Sequence, residues 1–154
     1  MKKIVKSSTL GVTLLEIMLV LAVAAMIIVM SIRYYQSATS SQQANAVLQM
    51  IQNITASADG MAQGSGSYVQ GGVDTASIQA LMPNNSLTTP WGSTITINAD
   101  TDNNYSVSIA AMPAQVCNQI KPRLASNPKY VGVSTISCGT TGPVSFQYVY
   151  DSQQ

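Results

Sequence analysis

Of 154 residues, 46% are hydrophobic and only 8% charged, with seven Lys and Arg against six Asp and Glu. Ordinary soluble domains carry about 25% charged residues, so Ser, Thr, Asn and Gln must cover much of this surface, as in many exported proteins. There is no His and a single Glu, Glu16, which removes histidine metal sites, Ser-His-Asp and Cys-His nucleophiles and most acid–base pairs.

A net charge of +1 without a long basic run argues against a dedicated nucleic-acid binder. The length suits one domain with enough chain to bury a core. The expectation is a protein that is not an enzyme and that needs no cofactor or metal.

The charge is uneven along the chain. Lys2, Lys3 and Lys6 fall in the first six residues, and from Val12 onward four basic residues face six acids, a net charge of −2. Ile17 to Met30 is then unbroken apolar sequence, and the wider stretch Val12 to Ile32 is interrupted only by Thr13, Glu16 and Ser31. As a helix this stretch is about 30 Å long, enough to cross a bilayer. Lysines before it and Arg33 after it keep the N-terminus in the cytoplasm by the positive-inside rule, with Arg33 at the outer boundary. The alternative is a cleaved secretory signal, for which Ser37-Ala38 offers small residues.

Glu16 is the residue in this stretch that needs explaining. A carboxylate costs roughly 2.5–3.5 kcal/mol toward the bilayer centre and less at its edge. Four residues into the run, it is placed either to reach the headgroups or to meet a positive charge from another chain, since buried charges persist only when paired. The residues alone leave both readings open.

The Lys-rich leader, Gly11, then Val12-Thr13-Leu14-Leu15-Glu16 and the apolar helix resemble the class III signal of type IV prepilins. In that family a membrane peptidase cuts after the glycine and methylates the new N-terminus. The resemblance implies cleavage between Gly11 and Val12, N-methylation of Val12, and Thr13 and Glu16 at the assembly positions two and five of the mature chain. It further implies a pilin fold, a homopolymer as partner, and an inner-membrane assembly platform.

From Arg33 the pattern turns amphipathic. Ala44, Val47, Leu48, Ile51, Ile54, Thr55 and Ala58 fall at helical spacing, with no Gly or Pro between Gly11 and Gly60. One helix over about residues 12–58 follows, roughly 70 Å long. Tyr34-Tyr35-Gln36-Ser37-Ala38 is similar to the type IVb pilins of bundle-forming pili. Mature position 22 is Arg33, where type IVa pilins carry a kinking Pro.

The remainder reads as an α+β head. Gly60 to Gly72 reads as a mobile Gly- and Ser-rich connection. Asp74 caps a short helix over Thr75 to Met82, stopped by Pro83. Thr89-Pro90-Trp91-Gly92 is like a turn common in pilins.

Thr94–Asn98 and Tyr105–Ile109 alternate as a hairpin around a turn at Asp100–Asn104. Asp100, Asp102 and Asn104 are spaced like the first ligands of a calcium loop, but its Gly and closing Glu are absent. A second helix is expected over Ala114 to Leu124, limited by Pro122, with strands at Lys129–Ile136 and Val144–Tyr150. About four antiparallel strands would lie on the long helix. Lys121, Arg123 and Lys129 read as a solvated face.

Cys117 and Cys138 are the only cysteines. An even pair outside the membrane reads as a disulfide worth roughly 3 kcal/mol in the chain-entropy model, which also matches the C-terminal D-region of pilins. The organisation expected is a leader at 1–11, an apolar helix at 12–33, an amphipathic helix at 34–59, and a head at 60–154, with a loop at 60–93 and the sheet and D-region at 94–154.

The resemblance implies a type IVb-like major pilin polymerising into a surface filament for adhesion, aggregation or motility. It would wait in the inner membrane, N-terminus inside, and meet host or bacterial surfaces once assembled. The rivals are a minor pilin or type II secretion pseudopilin, and, from another class, a signal-anchored periplasmic binding module.

Overall fold

The computed structural model describes residues 13–139 and 143–150. The fold is α+β: helix α1 (Leu14–Ser65), α2 (Thr75–Leu81), strands β1 (Ile95–Thr101) and β2 (Asn104–Ile109), helix α3 (Ala114–Ala125), and strands β3 (Tyr130–Val131) and β4 (Val144–Val149). Contacts divide the chain into two units, at Met1–Ala38 and Thr39–Gln154.

In the first unit the described residues after Thr13 form α1 up to Ala38. Its large apolar side chains from Leu14 to Ile32 are all exposed. This helix is long and apolar enough to cross a membrane.

The second unit holds the core. Ser40, Ala44, Val47, Ile51, Ile54 and Ala58 are the buried positions of α1, alternating four and three residues apart, so they form one stripe. Against the stripe lies a four-stranded antiparallel sheet in the order β1-β2-β4-β3.

Register aligns the inward residues in rows across its three longer strands: Ile95, Ile109 and Val144; Ile97, Val107 and Phe146; Ala99, Tyr105 and Tyr148. All but Ala99 are buried. Short polar residues occupy the alternate positions, with Thr96, Ser108 and Ser145 in one row and Asn98, Ser106 and Gln147 in the next. That alternation is the period-two signature of a sheet with one face in the core.

Both edges of the sheet are closed or short. On β1, the Ala99 N–H donates to the Val73 carbonyl (3.1 Å) and the Ile95 N–H to the Leu87 carbonyl (2.9 Å). The Thr75 hydroxyl accepts from the Ile97 N–H (2.8 Å) and donates to the Ile97 carbonyl (3.0 Å). The opposite edge, β3, is two residues long.

Several expectations are met and several corrected. Asp74 caps α2, its Oδ1 accepting from the Ser77 N–H at 2.7 Å. That hydrogen bond holds the Asp74 carboxyl below the usual carboxylate range. The connection expected to be mobile from Gly60 is instead helical to Ser65, and Tyr68 within it is a core residue. A glycine inside a helix costs only about 1 kcal/mol against Ala, and the Tyr68 anchor offsets it. Gly66, with φ +82°, ends the helix.

Gly71 is required by close approach, because a Cβ there would stand 2.9 Å from Ser65 Oγ and from the Ser67 carbonyl. Pro122 lies inside α3 rather than ending it; the Ser126 N–H still reaches the Pro122 carbonyl at 3.2 Å. The strand expected over Lys129–Ile136 is only Tyr130–Val131, because Gly132 turns to φ +82° and a short 3-10 helix, Val133–Thr135, follows. The hairpin turn narrows to Asp102-Asn103.

Candidate assembly surface

Thr13 starts α1. Its Oγ1 accepts from the Glu16 N–H at 3.3 Å, and its carbonyl accepts from the Glu16 and Ile17 N–H groups at 3.0 and 3.2 Å. This is the hydroxyl half of a capping box, Thr-x-x-Glu, with Glu16 at the third helical position. A carboxylate in the first turn is also favoured by the helix dipole. The Glu16 side chain is exposed, so the sequence that caps the helix also presents its one acid outward. Gly11 and Val12, expected as the cleavage and methylation positions, lie outside the described residues.

Beyond Glu16 the surface is aliphatic until Arg33. Leu14 is 76% exposed and Met30 72%, against 0% for Val47 further along the same helix. Water disfavours such a surface by roughly 25 cal/mol for each Å² of apolar area, and a contiguous patch of this kind marks a membrane or protein contact. The Ser31 hydroxyl adds no polarity to it, since it donates to the Ile27 carbonyl at 2.8 Å.

The expected cysteines are joined. Cys117, buried on α3, is bonded to Cys138 with a Cα–Cα separation of 5.5 Å and a sequence separation of 21. Inside that loop the Lys121 ammonium donates to the Ile136 carbonyl at 2.8 Å. Arg123 Nη1 also donates to Asn45 Oδ1 on α1 at 2.6 Å, so these two members of the basic trio are hydrogen-bonded within the head. That pair spans an open groove of about 560 Å³ lined by Leu48, Gln52, Leu124 and Tyr130 among others, of which Arg123 is the only charged member.

One cluster was missed. Asp59 on α1 accepts from the Tyr68 hydroxyl (2.6 Å) through Oδ1 and from the Tyr148 hydroxyl (3.3 Å) through Oδ2. One turn earlier, Thr55 Oγ1 accepts from the Tyr105 hydroxyl at 3.3 Å and shares a hydrogen bond with the Tyr130 hydroxyl at 3.2 Å. The rings meet edge-on or tilted at 5.0–5.3 Å for Tyr68–Tyr105, Tyr105–Tyr148 and Tyr130–Tyr148. The Lys129 ammonium lies 5.3 Å from the Tyr150 ring and 5.9 Å from that of Tyr148.

Burial pushes the Tyr68, Tyr105 and Tyr148 hydroxyls well above the usual tyrosine range, and the Asp59 charge adds to this. The cluster fastens α1 to the sheet. A sequence signal existed: an acid one turn after a threonine on the helix's apolar stripe, opposite strands carrying tyrosines at inward positions.

Asp102 is likewise a fastener, its Oδ1 accepting from the Ser67 hydroxyl at 2.5 Å while its carbonyl accepts from the Tyr68 N–H at 3.0 Å. Asp100 accepts from Ser106 and Gln147 at 3.2 Å each. No family model matches the chain, and neither a curated protein nor a solved structure matches it.

Proposed function

We propose that this chain is a structural subunit of a type IV pilus, a type IVb-like major pilin. The observation that carries the reading is the apolar stretch of α1 from Leu14 to Ile32, whose large side chains are all exposed and which holds one acid, Glu16, next to a leader whose Lys-rich start and Gly11 resemble a prepilin signal. The α+β head and its disulfide support it.

The precursor enters the inner membrane with its lysines inside. A prepilin peptidase removes residues 1–11 and methylates Val12. The head waits in the periplasm, where Cys117 and Cys138 oxidise. Assembly moves the apolar helices from lipid into a filament core. Lipid is as apolar as that core, so no large hydrophobic term opposes extraction. Glu16 meets the Val12 amine of a neighbour, which offsets the cost of burying its charge.

Intact-mass spectrometry of sheared surface fibres, with and without reductant, tests this. The expected mass is Val12 to Gln154, plus about 14 Da for a methyl group and minus about 2 Da for the disulfide. Full-length chain confined to the membrane fraction would sink the reading in favour of a tethered periplasmic module.

A further inference from the structure

Between Val12 and Ala58 the chain has only two charges, Glu16 and Arg33. Both lie on one continuous helix and both are exposed. They stand seventeen positions apart, which is about 25 Å along the axis and leaves the side chains about 100° apart around it. A two-fold pair of helices makes each contact twice with the same patch, so it needs both charges on one face. Charges on two different faces instead suit a head-to-tail contact, in which each copy offers Glu16 to one neighbour and Arg33 to another. Such contacts propagate.

We infer that Arg33 of one copy binds the Glu16 carboxylate of a second, parallel copy displaced about 25 Å along the helix axis, an inference that rests on the assembly reading above. Copies are parallel because each keeps its lysines on the same side of the membrane. In lipid the Arg33 side chain reaches the outer headgroups. When the apolar helices gather, that partner is lost and Glu16 is buried among the aliphatic side chains of neighbours, where a lone carboxylate is costly. The guanidinium is suited to the exchange, since it reaches far and grips a carboxylate with two parallel hydrogen bonds. A carboxylate has about four acceptor positions, so the Val12 amine and Arg33 share Glu16 without conflict. The contact fixes an axial stagger.

The test uses fibres made by a host that assembles the wild-type chain. At this stagger Val20 of one copy is level with Ser37 of the other, each one helical turn past a charge and turned only about 40° from the contact. The chain carrying Val20→Cys with Ser37→Cys should give, with a thiol-reactive crosslinker about one helix diameter long, a ladder of covalent oligomers, and neither single variant should. Arg33→Gln should lower fibre yield about tenfold or more, and Arg33→Lys by less. Thermal melting of the head, unchanged in all variants, separates assembly from folding.

Doubly substituted fibres that give no ladder, or dimers only, would overturn the stagger. So would Arg33→Gln fibres as abundant as wild type, and that yield decides the matter if the cysteine pair itself blocks assembly. Absence of any wild-type fibre would overturn the assembly reading first, and the stagger with it.

Discussion

From Leu14 to Ile32 every large side chain of α1 is exposed, whereas from Ala44 to Ala58 a stripe of the same helix is buried against the sheet. Backbone geometry does not distinguish the two stretches; both are regular helix without Gly or Pro. Composition does. The first is apolar on all sides, so no single packed face can satisfy it. The second interleaves its apolar stripe with Gln, Asn and Ser, so one face suffices. Helices of the first kind belong in lipid or in a core made by several chains, and those of the second kind complete a core within their own chain.

The sharpest way to break this comparison is to separate its terms. A chain beginning at Thr39 should pass wholly from the detergent phase to the aqueous phase in detergent partitioning, while keeping a cooperative melt. Persistence in the detergent phase would locate the apolar surface in the head instead.

Alkali comes next. Tyr68, Tyr105 and Tyr148 have raised folded-state pKa values, so their contribution is whole below the ordinary tyrosine value of about 10 and is lost as pH rises above it. Unfolding free energies from denaturant titration should be flat from pH 7 to about 9.5 and then fall, by up to about 1.4 kcal/mol per pH unit for each tyrosine. A flat profile to pH 11 would mean that the hydroxyls are not buried.

Matched truncations sharpen the contrast further. Ile51→Ala should cost the head about 2–5 kcal/mol, and Ile27→Ala less than about 0.5 kcal/mol, both by urea unfolding. Equal losses would place Ile27 in the same core as Ile51. Replacing Cys117 and Cys138 together by Ser should cost about 3 kcal/mol, seen as a lower midpoint that no longer responds to reductant.

Much of this was legible from residue patterns. The long helix followed from apolar spacing, the hairpin from Thr-Ile-Thr-Ile alternation, and the disulfide from an even cysteine pair. The helix end was misplaced because Gly60 and Gly64 read as breakers, while the force that overrides them, burial of Tyr68 and its bond to Asp59, depends on residues brought together only by folding. For the same reason the tyrosine cluster escaped notice: Tyr105 and Tyr148 become neighbours through the β2–β4 register, which sequence spacing does not contain. The shortness of β3 turns on one backbone angle at Gly132. At the candidate surface, Thr13 and Glu16 stood out through their resemblance to positions two and five of a mature pilin, whereas their part in capping the helix is seen only in the structure.

The closed edges of the sheet carry a consequence for crowding. Subunits stacked in a fibre hold their sheets at very high local concentration, the condition under which open strands recruit one another into cross-β aggregates. Here the N–H groups of Ile95 and Ala99 and both backbone groups of Ile97 on β1 are already taken by Leu87, Val73 and Thr75, and β3 offers two residues. In the proposed assembly, a head whose edges are occupied in this way would pack densely against its copies without competing with the helices for control of how they join.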